Sequence, residues 1–127
     1  MATMTPGPAY RYAATVTGIH DGDTVTADVS LGFGTWRHAQ AFRLLGLNAI
    51  ELADPGGGEA RANLAAILTA TPGVILTSVK PDKFGGRYDA RITLPDGTDL
   101  TDLLTGAGWA APWDGRGPRP LPAWPRP

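Results

Sequence analysis

YRYAATVTGIHDGDTVTADVS, residues 10–30, is the stretch whose reading decides the fold. From Tyr12 to Ile19 apolar and polar residues alternate as in a strand with one face covered. His20-Asp21-Gly22-Asp23 supplies turn chemistry, because Asp and Gly satisfy or relax the backbone where it reverses. Alternation then resumes from Thr24 to Ser30. The stretch predicts a β-hairpin with two acidic residues at its tip.

Outward from this hairpin, Leu31–Thr35 (LGFGT) is a second glycine-bearing turn, and Trp36–Leu47 (WRHAQAFRLLGL) predicts one continuous third strand. Pro55-Gly56-Gly57-Gly58 breaks the pattern. In the residues that follow, Ala60, Leu64, Ile67 and Leu68 recur at helical spacing, which predicts a helix from about Gly58 to Thr69. Val74–Val79 and Arg87–Leu94 predict two more strands around the basic turn KPDKFGG, and Asp99–Ala107 a short helix stopped by Gly108. Residues 1–9 predict a flexible lead-in, 10–114 one domain, and 115–127 an irregular Pro/Arg-rich tail. The order β-β-β-α-β-β-α fits a mainly β, α+β class: a five-stranded Greek-key barrel of OB type with two packed helices.

With 127 residues the chain suits one core and one active surface. A formal net charge of −1 gives no global pull toward nucleic acid or membrane, so phosphate binding must come from local clustering of Arg and Lys. The absence of cysteine excludes disulfides, thiol nucleophiles and thiolate metal sites. No apolar run approaches the roughly 18 residues of a membrane helix. The expectation is a soluble, cytoplasmic monomer without a membrane partner.

Asp21 and Asp23 flank a glycine, and two carboxylates on a tight turn can converge on one hard cation, which prefers oxygen ligands. An ordinary hairpin turn is written in the same letters. Three segments taken in order raise the specificity: HDGDT (20–24), FRLLGLNAIE (42–51) and DKFGGRYDARI (82–92). With Gly57-Gly58-Glu59-Ala60, Asp96-Gly97 and Leu103-Leu104-Thr105-Gly106 at corresponding places, the chain from about 13 to 113 resembles the staphylococcal nuclease family.

The resemblance implies a calcium-dependent phosphodiesterase acting on DNA, RNA or both. By position, Asp23 matches the family's calcium-ligating carboxylate, Asp21 the neighbouring acid, and Asn48 the next ligand position. Arg43 and Arg87 match the arginines that grip the cleaved phosphate, a role suited to their planar forks. Glu51 matches the glutamate that orients or deprotonates water. Lys80, Lys83 and Phe84 fall at the nucleotide pocket, and Trp113 near another family aromatic, where packing against the barrel end is an equal reading. Arg43 has its own plain alternative, ending a strand in water or pairing with Glu51. His20 and His38 receive no role.

Departures cluster at the metal. Asn48-Ala49-Ile50-Glu51 stands where the best-known members carry Asp-Thr-Pro-Glu, which removes one formal charge, and the turn before Arg87 holds one extra glycine. Two functions follow, a metal-dependent nuclease or a catalytically weak nucleic-acid-binding module. Glu51 with both arginines favours the first, since a mere binder has little need of a buried glutamate beside phosphate; Asn48 favours the second.

Overall fold

The computed structural model describes residues 10–83 and 85–122. The expectations for residues 1–9, for Phe84 and for the tail beyond Pro122 therefore lie outside the described residues.

Five strands close into a barrel: β1 (Tyr10–Asp21), β2 (Thr24–Gly32), β3 (Thr35–Leu44), β5 (Gly73–Pro81) and β6 (Arg87–Thr93). Their order around it is β1-β2-β3-β6-β5, with β5 returning to β1. The β3–β6 seam is parallel and the other pairs antiparallel, which is OB-type connectivity. Alternation places Val25, Ala27 and Val29 of β2, Phe42 and Leu44 of β3, Leu76 of β5 and Ile92 of β6 in one core.

Two helices extend this core. The helix α1 (Gly57–Ala70) buries Ala60, Leu64 and Leu68 at the spacing read from the sequence. The shorter α2 (Leu100–Gly106) buries Leu100 and Leu104, and its N-cap Asp99 accepts the amide of Asp102 at 3.1 Å. Asp99 also takes two hydrogen bonds from Arg91, at 2.9 and 3.3 Å, so one carboxylate caps the helix and ties it to β6. No described helix is long and apolar enough to cross a membrane.

Trp36–Leu47 is not one strand. β3 stops at Leu44, Gly46 turns the chain at φ 85°, and a separate strand β4 (Leu47–Ala49) follows. β4 pairs with β7 (Ala110–Pro112), a strand with no counterpart in the sequence reading. The positive φ explains the break, since a side chain is strained there. This small second sheet carries Asn48 and leads directly to Glu51.

Candidate active site

The turn at the end of β1 is packed rather than exposed. A Cβ on Gly22 would stand 2.8 Å from Cβ of Ala49 and 3.1 Å from that of Ala60, so glycine is what lets the turn settle against β4 and α1. In consequence Asp21 and Asp23 are both buried, against the expectation of acids at a hairpin tip. Oδ1 of Asp21 accepts the amide of Asp23 at 3.0 Å. Asp23 accepts the Thr24 hydroxyl at 3.1 Å and the Ala49 amide at 3.2 Å, which joins the first hairpin to the second sheet. Burial, and next the charge of Asp23, push the Asp21 carboxyl up to about 6.

Arg43, outward-facing on β3 between buried Phe42 and Leu44, lies 3.5 Å from Asp23 and donates to the carbonyls of Leu44 and Leu47 at 3.3 and 3.4 Å. It pairs with Asp23 and not with Glu51. Across the parallel seam Arg43 is in register with Asp89. Arg87 opens β6, where its Nε lies 3.1 Å from Asp82. The extra glycine is accommodated without strain, because Gly85 and Gly86 both take positive φ, 73° and 70°, and Gln40 donates to the carbonyl of Gly86 at 3.1 Å.

Two adjoining cavities share this ground. One, of about 410 Å³, is lined by His20, Asp21, Asp23, Thr24 and Glu51 together with Arg43, Arg87 and Arg119. The other, of about 200 Å³, has the same three arginines beside Lys80, Lys83 and Trp113, with Asp82 and Asp89 beneath. Three carboxylates line each cavity, and the second differs by the two lysines and the aromatic wall of Trp113. Both Asp82 and Asp89 are buried, and burial, then hydrogen bonding to Asp82, raises Asp89 to about 6.

Glu51 follows β4 and is exposed, not buried, and its Oε1 lies 2.6 Å from Nη1 of Arg119. Two guanidinium groups lie over the Trp113 ring, Arg43 at 5.6 Å and Arg119 at 5.7 Å from its centroid. The backbone amide of Trp113 donates to Gly46 just past β3 at 3.0 Å, so cation–π attraction and packing at the barrel end both describe its surroundings. Lys80 is exposed and 4.0 Å from Asp89, and Lys83 is exposed at the cavity edge.

For a hard cation, the fit rests on Asp21, Asp23 and Asn48. Asn48 is only 4% exposed, its Nδ2 donates to the carbonyl of Pro120 at 3.0 Å, and its Oδ1 accepts no hydrogen bond from a described residue. Asn48 lines neither cavity, but its neighbour Ala49 bonds Asp23 through its amide, and an open amide oxygen and a carboxylate pair are the donor types a hard cation takes. Among the described residues no three His, Cys, Asp or Glu side chains converge, so such an ion would draw on the neutral amide oxygen as well.

The structure therefore gathers Asp21, Asp23, Arg43, Glu51, Arg87, Lys80, Lys83 and Trp113 around two adjoining cavities and leaves Asn48 out of the lining of both. It adds Arg119, Asp82 and Asp89, none of which was a candidate from sequence. A Pro-flanked arginine after the last periodic segment was the one available signal for Arg119. Together fold and site define an OB-type barrel carrying a buried acid pair and three clustered arginines. No protein-family model matches the chain, and no curated protein matches it.

Proposed function

We propose that the protein is a metal-dependent nuclease of staphylococcal-nuclease type that hydrolyses phosphodiester bonds of DNA, RNA or both. The observation that carries this reading is that Arg43, Arg87 and Arg119 line both cavities, with Asp21, Asp23 and Glu51 in one and Lys80, Lys83 and Trp113 added to the cations of the other. A phosphate seated on Arg43 and Arg87 would put its ester chain toward the basic, aromatic side and the attacking water toward the acids.

In that arrangement Arg43 and Arg87 bind the equatorial phosphate oxygens and stabilise the charge that builds on them. Arg43 is pre-aimed by Asp23 and two backbone carbonyls, so little reorganisation is needed when substrate enters. Glu51 accepts the proton of the attacking water once its carboxylate is available. Asp21, Asp23 and Oδ1 of Asn48 would hold calcium. Bound there, calcium supplies positive charge against the phosphate oxygens. Lys80 and Lys83 hold flanking phosphates, and the ring of Trp113 offers a face to a base.

A second reading is favoured by one specific observation: Glu51 is engaged by Arg119 and Asn48 by Pro120. On this reading the protein is a nucleic-acid-binding module with little turnover. Incubating the purified protein with single-stranded DNA, duplex DNA and RNA, in calcium and in chelator, separates the two. Calcium-dependent cleavage supports the nuclease; binding without cleavage supports the module; neither would sink both.

A further inference from the structure

The segment after β7 has no regular secondary structure as far as Pro122, yet it is fastened across the candidate site at several points. The amide of Trp113 donates to Gly46 at 3.0 Å and its indole N–H to the carbonyl of Arg116 at 2.8 Å. Further on, the carbonyl of Pro120 receives the Asn48 amide and Arg119 reaches Glu51. Prolines at 118 and 120 flank Arg119, which restricts the backbone and lowers the entropy cost of holding its side chain in place. Arg119 also stacks on the Trp113 ring that Arg43 faces, and it lines both cavities.

We propose that Arg119 is a latch released by substrate. In the free protein it holds Glu51; a nucleic-acid phosphate entering the cleft takes the guanidinium, frees the carboxylate and gains a third arginine contact. The exchange is feasible because Glu51 and Arg119 are 56% and 44% exposed as side chains, and ion pairs that wet are weak. A phosphodiester offers the same fork two oxygens and a full negative charge, and the neighbouring phosphates of the strand add to the attraction. The role given to the freed Glu51 rests on the nuclease reading; the exchange of partners by Arg119 does not require cleavage.

The test is binding of a fluorescein-labelled single-stranded DNA oligonucleotide in chelator, where no cleavage competes. Arg119→Ala should weaken binding about tenfold and flatten its salt dependence by roughly one phosphate contact. Arg119→Lys, which keeps the charge and loses the fork, should fall between. Glu51→Gln should tighten binding several-fold, because Arg119 no longer has a competing partner. In the Arg119→Ala background the same Glu51→Gln change should give little gain.

An equal gain from Glu51→Gln in both backgrounds would overturn the latch, since it would then reflect only the removal of a negative charge. Without nucleic acid, trypsin should cut after Arg116 faster in Glu51→Gln than in wild type, and equal rates would also overturn it. Wild-type protein that neither binds nor cleaves nucleic acid sinks the function proposed above and release by substrate with it; binding without cleavage sinks the nuclease alone and leaves the latch to the Glu51→Gln and trypsin comparisons.

Discussion

The side-chain amide of Asn48 donates to the backbone carbonyl of Pro120 at 3.0 Å, so the residue at the candidate metal site also fastens the segment that crosses it. Asn48→Asp removes that donor and sets a carboxylate against a carbonyl. It also supplies the acid that the resemblance leads one to look for, and calcium affinity rises with the number of charged ligands. Two effects should therefore appear together: half-maximal cleavage at lower calcium, and faster tryptic cleavage after Arg116. A calcium titration of the rate, run beside wild type, reads the first. An unshifted curve would place Asn48 off the ion.

Asp23→Ala should abolish calcium-dependent cleavage, but not with an untouched fold. The buried carboxylate accepts from Thr24 and Ala49, and its loss leaves buried donors without partners. The expected cost is about 1–3 kcal/mol in urea unfolding. Asp23→Asn keeps an acceptor and should recover part of the stability without the activity. A fully stable Asp23→Ala would contradict the packed turn described above.

Arg43→Ala and Arg87→Ala should each lower kcat/KM by about 10²–10³-fold, the effect of losing one donor to a charged transition state. Each should also weaken binding of single-stranded DNA and flatten its salt dependence. Each also leaves a buried aspartate, Asp23 or Asp82, without its cationic neighbour and should lower stability. Wild-type kinetics in Arg87→Ala would show that the glycine-lengthened turn holds this side chain away from the substrate.

Acidity should act in a direction unusual for a carboxylate. Because the Asp21 carboxyl is raised from 3.8 to about 6, the folded protein binds that proton more tightly than the unfolded chain does. Its contribution to stability is complete below about pH 4 and is lost as pH rises to about 6. In chelator, urea unfolding should show Asp21→Asn gaining on wild type between pH 4 and 7, by an amount on the order of 1–3 kcal/mol. Asp89, raised to about 6 by burial and by Asp82, acts with the same sign. At pH 7, saturating calcium should stabilise wild type more than Asp21→Asn. A pH-independent difference between the two proteins would remove the buried acid from the account.

The position of Glu51 depends on a glycine. A Cβ on Gly57 would lie 2.0 Å from the Glu51 carbonyl oxygen, a backbone atom that cannot swing aside, whereas a Cβ on Gly58 meets nothing within 4 Å. Gly57→Ala should cost about 1–3 kcal/mol and lower kcat. Gly58→Ala, one residue on in the same helix, should raise stability by about 0.5–1 kcal/mol and leave the rate unchanged. Thermal unfolding and cleavage assays on the pair distinguish close approach from a general preference for glycine at the helix start.

How much of this could be read beforehand depended on whether local order decided it. Alternation in β1, β2 and β6 and the spacing of Ala60, Leu64 and Leu68 are local, and they led to the barrel and α1. The break at Gly46 was hidden because a glycine between leucines continues an apolar run, and only its positive φ distinguishes it. β7 is three residues ending in proline, and its strand character comes from a distant partner, β4. Asp21, Asp23, Arg43, Glu51 and Arg87 were found through ordered motifs. Their surroundings were not, since burial of the acids and exposure of Glu51 depend on how the turn and the second sheet pack. Arg119 lies in a segment with no period at all, placed only by long-range contacts.

The parallel seam between β3 and β6 sets Ala41 beside Arg87 and Arg43 beside Asp89. Neither candidate phosphate arginine can meet the other until residues 35–44 and 87–93 have come together across the intervening β4, α1 and β5. Loop closure of that span is entropically slow compared with zipping either local hairpin. A folding intermediate holding only the first three strands would therefore already contain Asp21, Asp23 and Arg43 but lack half of the anion grip. Competence would arrive with the closing seam, and refolding followed by oligonucleotide binding should show a lag after β-hairpin signals have appeared.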